Sequence, residues 1–125
     1  MDLIIGGAYQ GKLEYALHSY NLTEKDVYTC CEDALADFEK KCVYGIEEFV
    51  MYCLKNDLSA KKVLEENREK WENSVLICHE IFSGVVPTDA LLRTWRDETG
   101  RVLTWLSQEA SSVTRLFCGI PQKLK

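Results

Sequence analysis

The sequence has no block of lysine or arginine. Its 15 basic residues are scattered and outnumbered by 20 acidic ones, for a formal net charge of -5. That balance provides no positive field to gather phosphates along a polynucleotide, so nucleic acid is not an expected partner. No apolar run is long enough to cross a bilayer, and no membrane partner is expected. The opening Met1-Asp2-Leu3-Ile4-Ile5 lacks a basic segment followed by a long apolar one. The expectation is a soluble, cytoplasmic protein. A Cys-x-x-Cys pair is also missing. Of six cysteines, Cys30 and Cys31 are adjacent, while Cys42, Cys53, Cys78 and Cys118 stand alone, which argues against a zinc site or a disulfide framework. Cys78 and Cys118 lie in apolar runs and read as reduced packing residues. With no internal repeat or linker, the 125 residues, 46% of them hydrophobic, suit one domain over 1–125.

What is present is an alternation of short apolar runs with helix-compatible stretches. Residues 2–5 read as a buried strand feeding a turn at Gly6-Gly7, and Gly11-Lys12 opens a helix to Tyr20. Residues 26–31 read as a second strand, 32–40 as polar and helix-compatible, and 42–44 as a third strand. Ile46, Phe49, Val50, Cys53 and Leu54 recur at helical spacing, and Ser59 is placed to cap a charged helix running to Trp71. Residues 74–78 form a continuous apolar run, as in a strand covered on both faces. Thr88 can cap a long helix ending near Ser111-Ser112. Leu91, Leu92, Trp95, Val102 and Leu106 fall on one of its faces; Arg93, Arg96, Asp97 and Arg101 project from the others. Residues 113–118 make the last strand, and Gly119-Ile120-Pro121 turns the chain out of it. The expected fold is therefore α/β, P-loop-type and three-layered, with a mainly parallel sheet of about five strands and ligands at the strands' carboxyl ends.

Gly6-Gly7-Ala8-Tyr9-Gln10-Gly11-Lys12 fits the first seven positions of G-x-x-x-x-G-K-[ST], directly after a strand and before a helix. In that context the loop amides and the helix N-terminus face a phosphate, and Lys12 reaches the terminal phosphates. These seven residues are the candidate nucleotide-binding set; the bland alternative is a glycine turn after an edge strand. The eighth position is Leu13, which has no hydroxyl for Mg²⁺.

Three further segments follow in order: His79-Glu80-Ile81-Phe82-Ser83-Gly84-Val85-Val86-Pro87; then Arg93, Arg96-Asp97 and Gly100-Arg101; then Gly119-Ile120-Pro121-Gln122-Lys123-Leu124-Lys125. Together with the 6–12 loop they resemble the adenosylcobinamide kinase/adenosylcobinamide-phosphate guanylyltransferase family of cobalamin biosynthesis. That family carries an Asn-Glu-Val-Gly-x-Gly-x-Val-Pro loop, an Arg-x-x-Arg-Asp-x-x-Gly-Arg helix and a closing Gly-x-Pro-x-x-Lys segment. The resemblance implies ATP or GTP as nucleotide, a corrinoid as partner substrate, a guanylyl group carried on a histidine, and a small symmetric homo-oligomer. It makes Lys12 and Glu80 the catalytic candidates, with Glu80 placed to hold a metal-bound water or a substrate hydroxyl. The plainer reading of Glu80 is a helix cap or a solvated loop residue. Arg96 is a candidate phosphate or partner contact, whereas Arg93, Asp97 and Arg101 can ladder as weak ion pairs.

The departures from the family lie on the ligand side. The only histidines are His18 and His79, so the segment where the family carries its guanylylated histidine has none. His79 stands where the family has Asn and reads as a hydrogen-bonded structural side chain. Gly45 stands where the family's third strand ends in a metal-assisting Asp. Glu47 or Glu48 could substitute from a shifted position, but both read first as the acidic opening turn of a helix. Guanylyl transfer is expected to be lost, and no metal ligand is assigned. Three classes of function follow: an active kinase, a nucleotide- or corrinoid-binding paralogue without chemistry, and a structural paralogue using Trp95 and Trp105 at an oligomer interface.

Overall fold

The computed structural model describes residues 1–81 and 88–125. Most of the expected loop ahead of the long helix, residues 82–87, therefore lies outside the described residues. In chain order the elements are β1 (Asp2–Gly6), α1 (Lys12–Ser19), a 3-10 turn (Glu24–Asp26), β2 (Val27–Thr29), β3 (Cys42–Tyr44) and α2 (Ile46–Lys55). They continue with α3 (Ala60–Glu66), α4 (Arg68–Trp71), β4 (Val75–His79), α5 (Ala90–Glu109), β5 (Ser112–Phe117) and β6 (Ile120–Lys123). The strands form one sheet in the order β2-β3-β4-β1-β5-β6. The first five in that order pair in parallel.

Side-chain alternation along the central strands builds a core on each face of the sheet. Leu3, Val43, Leu76, Cys78 and Val113 point to one side, where they meet Phe49 and Val50 of α2, Leu64 of α3, Trp71, and Val102 and Leu106 of α5. Ile4, Cys42, Val75, Ile77 and Leu116 point to the other, where Ala16 of α1 closes over them. Helices on both faces are what a parallel sheet with crossover connections requires.

Several boundaries differ from the sequence expectation. The chain is not turned out after β5. A two-residue turn, Cys118-Gly119, with φ 51 and 76, sends it back as the antiparallel strand β6, the backbone twist that tight hairpins favour. Cys118 is exposed there rather than packed. Residues 32–40 are not helical: Ala36 and Phe38 are buried two residues apart, and the Phe38 ring meets Phe49 edge-on at 5.1 Å. That spacing of two anchors an extended segment to the core. The charged helix divides at Asn67, whose side-chain amide donates to the Val63 carbonyl at 2.8 Å. Such side-chain bonding competes with the helix ladder.

Ser59 does cap α3, accepting from the Lys62 amide. α5, however, is capped by Asp89, not Thr88; the Asp89 carboxylate accepts from the Leu92 amide at 3.1 Å. The buried face of α5 is Thr99, Val102, Leu103 and Leu106, while Leu91 and Leu92 are exposed. Trp105 meets Trp71 edge-on at 6.1 Å, with Arg68 over both rings. Trp95 donates its indole N–H to the Glu47 carbonyl at 2.7 Å. Both indoles thus make contacts within their own chain. No helix among the described residues is long and apolar enough to cross a membrane.

Candidate functional site

β1 lies in the middle of the sheet and delivers the 6–12 loop to its carboxyl edge. A Cβ at Gly6 would fall 2.7 Å from the Leu116 carbonyl oxygen, so only glycine lets β1 lie against β5 as the loop departs. Gly11, at φ 83, is the residue before α1; this left-handed turn is open to glycine without strain. Gln10 ties the loop to the β5–β6 turn: its carbonyl accepts from the Gly119 amide at 3.1 Å, and its side-chain oxygen accepts from the Cys118 amide.

The loop encloses a cavity of about 300 Å³, lined by Ala8, Tyr9, Gln10, Gly11, Lys12, Leu13 and Glu14 together with Tyr44 and His79. Lys12 opens α1 and is only 3% exposed. Its ammonium donates to the Gly7 carbonyl at 2.5 Å, folded back into its own loop. Burial pushes the Lys12 amine below its usual value, and the Glu47 and Glu80 carboxylates partly offset this. Tyr9, by contrast, is fully exposed.

Glu47 corrects the sequence reading. It is not a solvated first-turn carboxylate but is 6% exposed, with Oε1 accepting the His79 backbone N–H at 2.8 Å. A signal for it was present: Glu47 precedes the buried Val50 and Met51 by three and four positions, which puts a carboxylate on the apolar side of the helix. His79 also departs from its expected role. Its backbone is bonded to Glu47, but the ring Nδ1 is buried with no hydrogen-bond partner, and the imidazole faces Tyr44 edge-on at 6.2 Å. Burial lowers the His79 pKa; Glu47 opposes that shift and Lys12 adds to it.

Glu80 is neither a cap nor a solvated loop residue. Its backbone N–H donates to the Gly6 carbonyl at 2.9 Å. Its carboxylate accepts from Nε and Nη2 of Arg115 at 3.1 and 3.2 Å, a bidentate pair. Arg115 was missed from sequence, although a charged residue between Val113-Thr114 and Leu116 in an apolar strand is itself a signal. Arg96 does not join this cluster. It lines a second groove of about 740 Å³ with Ile5, Asp97, Gly100, Arg101, Leu103, Thr104 and Ser107. Arg101 pairs with Glu98 at 2.8 Å, three residues back, rather than with Asp97.

The donors do not fit a resident magnesium ion. Leu13 packs beside Ala16 in the α1-side core, and Glu80 is held by Arg115. Among the described residues, no three His, Cys, Asp or Glu side chains are grouped to hold a metal. A glycine-rich loop, a helix N-terminus and a buried lysine do meet at one cavity.

No curated protein matches the chain. A family model described as cobinamide kinase / cobinamide phosphate guanyltransferase matches residues 35–124. The matched stretch begins after the 6–12 loop and runs from β3 through β6, so it contains Glu47, His79, Glu80, Arg96 and Arg115. On a match over most of its length, the chain belongs to the cobinamide kinase / cobinamide phosphate guanyltransferase family.

Proposed function

We propose that the chain is a nucleotide-binding member of this family, acting on or beside a corrinoid in cobalamin biosynthesis, with guanylyl transfer lost. The observation that carries the reading is Lys12, buried at the foot of the loop-lined cavity with its ammonium on the Gly7 carbonyl. An arriving phosphate replaces that carbonyl as the partner of Lys12, while the amides of the 6–12 loop and the N-terminus of α1 face the same anion.

In this reading Gly6, Gly7, Ala8, Tyr9, Gln10, Gly11 and Lys12 cradle ATP or GTP. Glu80, oriented by its bidentate pair with Arg115, faces the hydroxyl of an acceptor. Arg96 serves the second groove rather than the phosphate cavity. Loss of guanylyl transfer rests on sequence: between His18 and His79 there is no histidine to carry the group. The same reading makes the protein a cytoplasmic homo-oligomer.

Calorimetric titration with ATP and with GTP, each with and without Mg²⁺, tests it. Binding that disappears in Lys12→Ala, with the fold intact by circular dichroism, supports the reading. Absence of binding by either nucleotide sinks it.

A further inference from the structure

Gln10 lines the loop cavity, yet both of its acceptor oxygens are turned to a single hairpin turn 108 residues away in the chain. The side-chain oxygen accepts from the Cys118 amide, and the carbonyl accepts from the Gly119 amide at 3.1 Å. The turn also packs on the loop, since a Cβ at Gly11 would lie 3.8 Å from Cα of Gly119. Two consecutive amides of the β5–β6 turn thus close on one residue of the glycine-rich loop.

The backbone on each side of this contact is held in a costly form. Tyr9, just ahead of Gln10, has φ 59, and Cys118, just ahead of Gly119, has φ 51. Neither is glycine, and a Cβ disfavours left-handed backbone. Such conformations persist where the surroundings over-determine them. The Tyr9 side chain cannot be what holds the loop, because it is fully exposed. The turn, by contrast, is a firm support. β6 pairs with β5 from Phe117–Ile120 to Thr114–Lys123, and beyond it the Lys125 ammonium donates to the Ser107 and Gln108 carbonyls of α5 at 3.1 and 2.9 Å.

We infer that Gln10 is a positioning residue, which latches the 6–12 loop to the β5–β6 turn and so keeps the loop in its anion-receiving form before a ligand arrives. In nucleotide sites built around magnesium, the ion helps to organise the phosphates over the loop. The side chains at this edge do not fit that ion, so order built into the loop itself lowers the cost of binding. What the latch does for a nucleotide rests on the nucleotide reading of the 6–12 loop; the latch itself does not.

The test combines amide hydrogen exchange of the ligand-free protein with calorimetric titration of ATP, for the native chain, Gln10→Met, Gln10→Ala and Gln10→Glu. Methionine keeps the length of the side chain and removes the acceptor; alanine serves if the methionine variant does not fold. Glutamate keeps an acceptor for the Cys118 amide. The expected result for Gln10→Met is faster exchange in residues 7–12 and at Cys118, with β4 unchanged, and slow exchange again in Gln10→Glu. ATP affinity of Gln10→Met should fall about tenfold, as when the receptive loop drops to about a tenth of the population. Unchanged exchange in both acceptor-free variants overturns the proposal. So does a loss of ATP affinity without faster exchange, which would make Gln10 a ligand contact instead. If the native protein binds no ATP while exchange responds as expected, the nucleotide reading falls and the latch stands.

Discussion

Glu47 reaches from the first turn of α2 to the end of β4 and holds His79 by its backbone, Oε1 to N at 2.8 Å. The same carboxylate provides counter-charge for Lys12, so one buried group supports two residues that line the loop cavity. Glu47→Ala leaves the His79 amide without its partner and is expected to cost about 1–3 kcal/mol in denaturant unfolding. Glu47→Gln keeps an acceptor and should cost less.

The charge has its own signature. Lys12 titrates below its usual value because it is buried, and phosphate binding needs it protonated. Nucleotide affinity should therefore hold at neutral pH and fall as pH rises through the depressed Lys12 pKa, below the ordinary 10.5. Glu47→Gln removes a group that opposes the depression, so the loss should move to lower pH. A profile that does not move on Glu47→Gln would separate Glu47 from Lys12.

How much of this was legible beforehand differs by residue. The apolar runs that became β1 and β4, and the glycines around Lys12, state their roles locally, because strand burial and a tight turn are short-range demands. The helical stripe of α2 is legible too, but Glu47 reads from sequence as a dipole partner, since sequence does not say which side of a first turn faces a neighbouring strand. The Glu80–Arg115 pair joins residues 35 apart, set beside each other only once β4 and β5 have both paired with β1. Residues 32–40 misled for a related reason: a polar composition suits a helix, and the burial of Phe38 against Phe49 overrode it.

Gly6 and Gly7 are adjacent but should respond differently to alanine. A Cβ at Gly6 falls 2.7 Å from the Leu116 carbonyl oxygen, while one at Gly7 meets only the Gln10 side chain at 3.8 Å. Gly6→Ala must push β5 away from β1 and is expected to destabilise by about 1–3 kcal/mol. Gly7→Ala should leave thermal unfolding nearly unchanged. Equal effects of the two substitutions would show that the strand contact is not what requires glycine.

Cys30, Cys42, Cys53 and Cys78 are buried, and Cys31 and Cys118 are exposed. Burial pushes the Cys30 thiol up to about 12 and Cys42 and Cys53 up to about 11, so their thiolates are scarce at neutral pH. A thiol reagent should label only Cys31 and Cys118 in the folded protein and all six cysteines after unfolding. Fast labelling of Cys30 would mean that residues 32–40 open readily.

The last prediction concerns the metal and the missing nucleotidyl carrier. Leu13 stands where a hydroxyl would ligate Mg²⁺ and is packed in the α1-side core, while Glu80 is paired with Arg115. Nucleotide binding should thus depend weakly on Mg²⁺. It should weaken with salt where the charges are exposed, since screening acts over about 10 Å at about 0.1 M. Leu13→Ser supplies the absent oxygen and should raise the Mg²⁺ dependence. Strong dependence in the native protein would mean that a carboxylate at this edge leaves its present partner for the cation. For the carrier, incubation with labelled GTP and Mg²⁺ followed by denaturation should leave no label on the protein. His18 is exposed on α1, away from the cavity lining, and His79 is the only histidine lining it. A covalent adduct that vanishes in His79→Ala would show that the imidazole at the end of β4 carries the guanylyl group.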